Sequence, residues 1–308
     1  MIVRKAVDFQ SDAITYVVNR AFKESSREYP TVQPSDAYVK SMLPPAALSD
    51  QPTSSITGRF CHKAHNKIPH PTFTLAWTLD GRRLFTGNSA GEITILDGKT
   101  FNFVNLVSLG RNEAVRALTW SHSGDYLLTG DGGGHVGYYE PTVKPLYVMQ
   151  SHRKAIRGLS FGPTDTKFVS CSDDSTLAIC DFATRRNEAV LEGHNWDVRA
   201  VEWHPYNSLI VSGAKDKLIK LWDAKSKTNI HTWQGHKGDV SKVSWNANGN
   251  WFLSSSRDYS MRIYDIRMMK ELQVIRGNGE ICSVAWHPYH EKLFASGDAN
   301  GDMTFWLA

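Results

Sequence analysis

Aromatic residues recur in this chain of 308 residues at a nearly constant interval, and no other feature constrains the fold as strongly. One column of aligned positions advances by 43, 41, 42, 42 and 42 residues, and its members are Leu96, Tyr139, Cys180, Trp222, Tyr264 and Trp306. A second column keeps nearly the same period, and its members are Trp77, Trp120, Phe161, Trp203, Trp245 and Trp286. Two columns with one period indicate repeated structural units that bury apolar surface against their neighbours.

The length of the period predicts an all-β fold. Repeats of about 40–45 residues, each supplying four strands, are typical of β-propeller blades. One repeat contains His194, Ser212, Asp216 and Trp222 in the order typical of WD repeats. We therefore interpret the chain as a WD40 β-propeller whose six repeats lie at roughly 70–100, 101–143, 144–185, 186–227, 228–269 and 270–308.

Three repeats carry polar residues that could form a hydrogen-bonded chain inside a blade. The sets are His152, Ser170 and Asp174; His194, Ser212, Asp216 and Trp222; and His236, Ser254, Asp258 and Tyr264. We predict that each histidine donates to the serine and the serine to the aspartate, which accepts the indole N–H of Trp222. A Ser-His-Asp hydrolase needs only one such set, so the repetition indicates a structural role and no enzyme activity.

The first 57 residues do not share the repeat, so we predict an N-terminal arm at 1–57 and a propeller at 58–308. Ser11 could cap a short helix that ends near Phe22, and the apolar face of this helix would pack on the propeller or on a partner. Residues 1–70 contain nine Lys or Arg and six Asp or Glu. This mildly basic extension is compatible with nucleic acid.

Six repeats could close a ring directly, or a seventh blade could complete it. We expect seven, the commoner closure for this repeat type, with residues 57–67 able to supply an outer strand that removes an open edge.

Other residue patterns exclude several kinds of site. The four cysteines lack C-x-x-C spacing. The histidines His62, His65 and His70 have no neighbouring carboxylate or cysteine at metal-ligand spacing. We therefore predict neither a metal nor a cofactor. The stretch GDGGGH at 130–135 lacks the Lys-Ser/Thr of a phosphate loop, so we predict a hairpin turn there. No apolar run approaches the roughly 20 residues of a membrane helix.

Two patterns leave alternatives open. Arg116, Arg157 and Arg199 each stand four residues before the second column, either as solvated or locally paired side chains or as a basic arc that meets phosphate or an acidic partner. Alternation predicts that Phe101 and Phe103 share one face of a strand. That face is either part of the core or a platform on which bases stack.

Longer stretches carry a more specific resemblance that extends over essentially the whole chain. They include RKAV from Arg4, LPP from Leu43, WTLDGRRLFTG from Trp77, DGKTFNF from Asp97 and NGNWFLSSSRD from Asn248. Together they resemble the WD-repeat subunit of the cleavage and polyadenylation specificity factor.

This resemblance implies a nuclear, seven-bladed propeller that recognises the AAUAAA polyadenylation signal of pre-mRNA. It implies two partner proteins, a large multi-propeller scaffold subunit that receives the arm and a zinc-finger RNA-binding subunit. A U–A Hoogsteen pair of the signal would lie between two phenylalanines, of which Phe103 matches one and the other would precede Arg4.

The resemblance also implies further RNA-binding residues. Lys67 and Leu106 match positions that contact the base pair, Arg4 and Lys5 match the basic arm, and His65 stands where threonine is common in the family. The alternative interpretation is a generic WD40 protein–protein adaptor, such as a ubiquitin-ligase substrate receptor or a chromatin-peptide reader, whose propeller face binds protein alone.

Overall fold

The structure is a computed structural model that describes residues 56, 63, 70–98, 100–288 and 290–308. The predicted arm, its helix and almost all of the 57–67 segment therefore lie outside the described residues. The described part contains 23 strands and no helix. Short runs rich in valine, isoleucine, threonine and aromatic residues form these strands, and turns rich in glycine, aspartate and asparagine separate them.

The strands form six antiparallel sheets in chain order, and each sheet is one blade. The first blade contains β1 (Thr72–Trp77), β2 (Arg83–Asn88), β3 (Glu92–Asp97) and β4 (Phe103–Ser108). The second contains β5 (Val115–Trp120), β6 (Leu127–Asp131), β7 (His135–Tyr139) and β8 (Pro145–Gln150). The third contains β9 (Ile156–Phe161), β10 (Lys167–Ser172), β11 (Leu177–Asp181) and β12 (Arg186–Leu191).

The remaining blades follow the same order of strands. The fourth contains β13 (Val198–Trp203), β14 (Leu209–Ala214), β15 (Ile219–Asp223) and β16 (Thr228–Trp233). The fifth contains β17 (Val240–Trp245), β18 (Trp251–Ser256), β19 (Ser260–Asp265) and β20 (Lys270–Arg276). The sixth has three described strands, β21 (Ile281–Trp286), β22 (Leu293–Asp298) and β23 (Met303–Leu307).

The hydrophobic core lies between blades, as the sequence period requires. The first strand of each blade packs beside the first strand of the next, and five buried clusters join the six blades in sequence. Trp203 and Trp245 end inner strands and are almost completely buried, and Trp222 lies in a third strand in the same kind of environment. Burying one such large apolar side chain contributes about 1.5–3 kcal/mol or more to the free energy of unfolding.

The first blade differs from the others because no described blade covers its outer face. Leu75 and Trp77 occupy the positions that Leu118 and Trp120 occupy in the second blade, where both pack against the first. In the first blade these two side chains are 61% and 41% exposed. Among the described residues, no core cluster joins the sixth blade to the first.

Candidate functional site

The predicted RNA-binding residues are only partly within the described chain. Phe103 and Leu106 are described, whereas Arg4, Lys5, His65 and Lys67 lie outside the described residues.

Phe103 begins β4, the outer strand of the first blade, and its side chain is 62% exposed. Val104 and Leu106 on the same strand are 49% and 43% exposed. A bulge between the Ile95–Asn105 and Leu96–Phe103 pairs leaves Val104 unpaired in the ladder. An edge strand with three exposed apolar side chains is a surface that pairs or packs with another molecule.

The turn before β4 corrects the predicted alternation of Phe101 and Phe103. Phe101 is not in the strand, because its φ is 52° and its N–H donates to the Asp97 carbonyl at 2.7 Å. Its ring meets Trp77 edge-on at a centroid distance of 6.0 Å. Phe101 therefore belongs to the packing beneath the turn, and Phe103 alone of the two projects as an exposed ring.

Arginines lie at the same end of the first blade as Phe103. Strand pairing aligns Trp77, Leu84, Leu96 and Phe103 across the blade. Arg82, just before β2, and Arg83, its first residue, are exposed beside this row, and the Arg82 guanidinium lies 3.6 Å from the Asp80 carboxylate. Neither these arginines nor Val104 was predicted from the sequence, although GRR in the turn after Trp77 was the available signal.

The polar set of the fourth blade forms a continuous chain, but its order differs from the prediction. His194 Nδ1 lies 2.8 Å from Asp216 Oδ2, and His194 Nε2 lies 2.7 Å from Ser212 Oγ. The indole N–H of Trp222 donates to Ser212 Oγ at 2.8 Å, so the predictions that the serine and the indole both donate to the aspartate were wrong. The aspartate accepts from the other end of the histidine, which places the serine between histidine and tryptophan.

Hydrogen bonding keeps this buried carboxylate charged. Burial would raise the pKa of Asp216, but the hydrogen bond and charge of His194 and the N–H groups of Leu218 and Asn195 lower it. The same balance lowers the pKa of Asp174 and that of Asp258, where His152 and His236 are the corresponding donors.

The other two sets keep the histidine, serine and aspartate but lose the tryptophan. His152 lies 2.8 Å from Ser170 Oγ, and His236 lies 2.7 Å from Ser254 Oγ. Cys180 replaces the indole in the third blade and contacts Asn187.

Tyr264 replaces the indole in the fifth blade. Its hydroxyl has no hydrogen-bond partner of acceptable geometry among the described residues. In all three sets the serine is completely buried, so no substrate carbonyl can reach its Oγ.

The predicted arginine column forms part of a larger set. Arg116, Arg157 and Arg199 are the second residues of β5, β9 and β13. The second residues of all six inner strands line one pocket of about 260 Å³ at one end of the channel between the blades, and these residues are Phe73, Arg116, Arg157, Arg199, Ser241 and Cys282. We call it the channel-mouth pocket. Extending the arginine column by one period toward the N-terminus and by two toward the C-terminus gives Phe73, Ser241 and Cys282, which completes the six.

The remaining features of the described chain are structural. The GDGGGH stretch turns between β6 and β7, which pair as an antiparallel hairpin, and Gly134 adopts a φ of 86° there. Among the described residues, no three His, Cys, Asp or Glu side chains are placed to hold a metal ion. His70 is described, whereas His62 and His65 are not. The described segments contain no helix long and apolar enough to span a membrane.

The far end of the channel holds a half-buried acid. Glu202 lines a cavity of about 400 Å³ together with Thr119, Ser160 and Ser244. Burial raises the pKa of Glu202 to about 7, although Lys242 and the N–H of Trp245, 2.6 Å from Glu202 Oε2, act in the opposite direction.

This raised pKa predicts a specific pH dependence of stability. The folded protein holds a proton on Glu202 that the unfolded chain releases near pH 4.5, so folding stability falls as the pH rises from about 4.5 to about 7. Glu202→Gln removes this titration and keeps an acceptor for Trp245. We expect the thermal midpoint of the variant to rise relative to the native chain between pH 5 and pH 8. The exposed ion-pair variant Glu188→Gln serves as the control, and parallel curves for all three proteins would rule out the assignment.

Comparison with known proteins places this fold in a family. The family model for the WD domain, G-beta repeat, matches residues 104–139, 143–181, 185–223, 227–265 and 269–306. The chain belongs to the WD40 repeat family. Each match runs from the last strand of one blade to the third strand of the next, so the WD40 sequence repeat is offset by one strand from the blade.

Several curated relatives of this WD40 chain are named polyadenylation factor subunit 2. The relative from Cryptococcus neoformans is 34% identical over 188 residues, which cover 61% of this chain and 26% of the relative. The relative from Neurospora crassa is 38% identical over 181 residues, which cover 58% and 27%. The relative from Candida albicans is 35% identical over 173 residues, which cover 52% and 32%. The chain thus matches about a quarter to a third of the length of these relatives.

A solved structure supports the WD40 fold alone. A chain in the crystal structure of the mitotic checkpoint complex superposes with a TM-score of 0.71 and 20% identity, and the match covers 78% of this chain and 75% of that chain.

Proposed function

We propose that this WD40 protein is a non-enzymatic RNA-binding and scaffold subunit of the nuclear machinery that cleaves and polyadenylates pre-mRNA. Its homology to polyadenylation factor subunits supports a role in mRNA 3′-end processing. The single observation that carries the RNA-binding part is the exposed ring of Phe103 at the start of an apolar edge strand.

An exposed aromatic ring suits single-stranded RNA because every base offers a face on which it can stack. Sequence-specific RNA recognition targets unpaired bases held on aromatic side chains, while basic side chains position the phosphates. In this proposal the U–A Hoogsteen pair of AAUAAA stacks on Phe103, and Leu106 borders the pair. Lys67 would contact the pair as well, and Arg82 and Arg83 would meet the adjoining phosphates together with Arg4 and Lys5 of the basic arm. His65 completes the proposed RNA-binding set.

The proposal includes the two partner subunits that the family resemblance implies. The N-terminal arm docks into a large multi-propeller scaffold subunit, and a zinc-finger subunit contacts the remaining bases of the signal. A seventh blade would cover Leu75 and Trp77, the two apolar side chains that the first blade leaves exposed.

Crosslinking tests this proposal against the protein-only adaptor. The complex reconstituted with its partner subunits is irradiated with an AAUAAA hexamer carrying 4-thiouridine, and with a control in which 4-thiouridine lies outside the hexamer. We expect the hexamer to crosslink to the peptide that contains Phe103. Equal crosslinking of both RNAs, or crosslinks that all map away from β4, would favour the adaptor.

A further inference from the structure

The channel-mouth pocket exists because every inner strand has an irregular pairing at its second residue. The register shifts between Val115 and Ala117 and between Val198 and Ala200, which leaves Arg116 and Arg199 outside the ladder, and Arg157 is skipped in the same way. Phe73, Ser241 and Cys282 are skipped in the other blades. A bulge turns the side chain of the skipped residue away from its place in the ladder. The six blades therefore place six side chains in one pocket.

The three arginines differ in how their charges are balanced. Arg157 forms a bidentate ion pair with Asp173, at 2.8 and 2.6 Å. Arg116 and Arg199 form no ion pair with any described carboxylate, and the Nε–H of each is buried without an acceptor. Arg116 instead lies over the ring of Phe73 at 4.7 Å. Two buried guanidinium donors therefore lack the partner that such groups normally have.

The arginines are close enough to affect one another. Burial lowers the pKa of Arg116, and the positive charges of Arg157 and Arg199 lower it further, while Asp173 and Glu113 act in the opposite direction. A bound anion relieves the mutual repulsion of these half-buried guanidinium groups.

Acidic residues near the pocket limit how much negative charge a bound anion can carry. Asp239 lines the same pocket, and Arg257, which also lines it, lies 3.8 Å from Glu280. The two unpaired arginines supply two positive charges, which match one phosphate monoester dianion with three acceptor oxygens. A polyanionic strand would bring several phosphates near Asp239 and Glu280, and a pocket of about 260 Å³ suits a side chain better than a nucleotide chain.

The pocket is also separate from the proposed RNA surface. Its residues stand at the beginning of the inner strands, whereas Phe103 is aligned with Trp77 at the end of β1. RNA stacked on Phe103 therefore meets the opposite end of the blades.

We propose that the channel-mouth pocket binds the phosphate group of a phosphoserine or phosphothreonine in an extended segment of a partner protein. Arg116 and Arg199 donate to the phosphate oxygens, and Arg157, whose charge is balanced by Asp173, lines the same pocket. This site gives the propeller a protein contact that a kinase can switch on, independently of RNA.

The first experiment measures binding to the intact chain. The probe is a fluorescein-labelled heptapeptide mixture with central phosphoserine and random flanks, compared with the same mixture containing serine. We expect the phosphoserine mixture to bind at least tenfold more tightly, and Arg116→Gln combined with Arg199→Gln to remove this preference. Arg153→Gln, an exposed arginine outside the pocket, and Phe103→Ala are the controls and should retain it. The thermal midpoint confirms that each variant is folded.

Several results would overturn the proposal. They are equal binding of the two mixtures, full binding by the double variant, binding of inorganic phosphate without the phosphopeptides, or displacement of the phosphopeptide by an AAUAAA hexamer with a free 5′ hydroxyl. The last result would assign the pocket to RNA. Because Phe103→Ala tests the RNA proposal separately, the two proposals can fail independently.

Cys282 provides a second measurement that needs no ligand. It is exposed and lines the pocket, whereas Cys171 and Cys180 are buried. The arginines should accelerate its alkylation by anionic iodoacetate relative to neutral iodoacetamide, as quantified by mass spectrometry of the Cys282 peptide. We expect this rate ratio to fall at least threefold in the double variant and to stay constant in Arg153→Gln. An unchanged ratio in the double variant would show that no cationic pocket exists.

Discussion

Replacing Asp216 with alanine is expected to lower the free energy of unfolding by about 3 kcal/mol or more, because the change removes the acceptor of several hydrogen bonds at once. The side chain of His194 is completely buried, and its Nδ1 would lose its acceptor at 2.8 Å. The N–H groups of Asn195 and Leu218 would lose theirs as well. Each unsatisfied buried donor costs about 1–3 kcal/mol.

Urea unfolding of the native chain and the variant measures this effect. Asp216→Asn keeps one acceptor oxygen for His194 and should lose less stability than the alanine variant. Asp125→Ala removes an exposed carboxylate and should change stability by less than about 0.5 kcal/mol. If Asp216→Ala unfolded at the same urea concentration as Asp125→Ala, the polar chain would contribute little to the blade.

Replacing Phe103 with alanine is expected to weaken binding of the reconstituted complex to an AAUAAA RNA by roughly 5- to 150-fold. This range corresponds to the ~1–3 kcal/mol that stacking of one base on an aromatic side chain contributes. Phe103→Tyr and Phe103→Trp keep an aromatic face and should bind within a few-fold of the native complex. Phe103→Leu keeps apolar area but has no π face, so its loss should approach that of alanine.

Two controls separate stacking from unfolding and from loss of exposed aromatic surface in general. Because Phe103 is 62% exposed, its removal should leave the thermal midpoint nearly unchanged. Trp196 is 58% exposed and precedes β13, away from β4, so Trp196→Ala should bind RNA normally. Fluorescence anisotropy at one fixed salt concentration measures all five variants, since RNA affinity depends on ionic strength.

The repeat period predicted the architecture because it reflects packing between blades. The Trp77 column lies at the last residue of each inner strand, and the Trp222 column lies in each third strand. The residue spacing alone predicts both positions, because every blade repeats the same order of strands.

The sequence predicted which residues form the polar chain but not which atoms meet. Pairing of Ile210 with Trp222 places Ser212 within reach of the indole, and this register cannot be read from residue order. Phe101 shows a related limit, since a strand pattern was predicted where a left-handed residue forms a turn instead.

Only part of the channel-mouth pocket could be predicted from the sequence. The period showed that Arg116, Arg157 and Arg199 occupy equivalent positions. It could not show which of these arginines is solvated and which has a buried Nε–H. That distinction depends on the bulges, which arise from strand register. The pairing of Arg157 with Asp173, and the absence of such a pair for Arg116 and Arg199 among the described residues, likewise required the fold.

In the proposed function, stacking on Phe103 recognises the uridine of the polyadenylation signal. Its most direct test is the ratio of affinities for AAUAAA and for AACAAA, measured in the native complex and in the Phe103→Ala complex. We expect a strong preference for AAUAAA in the native complex and a preference reduced at least fivefold in the variant. An identical ratio in the two complexes would contradict it, because another surface would then be reading the uridine.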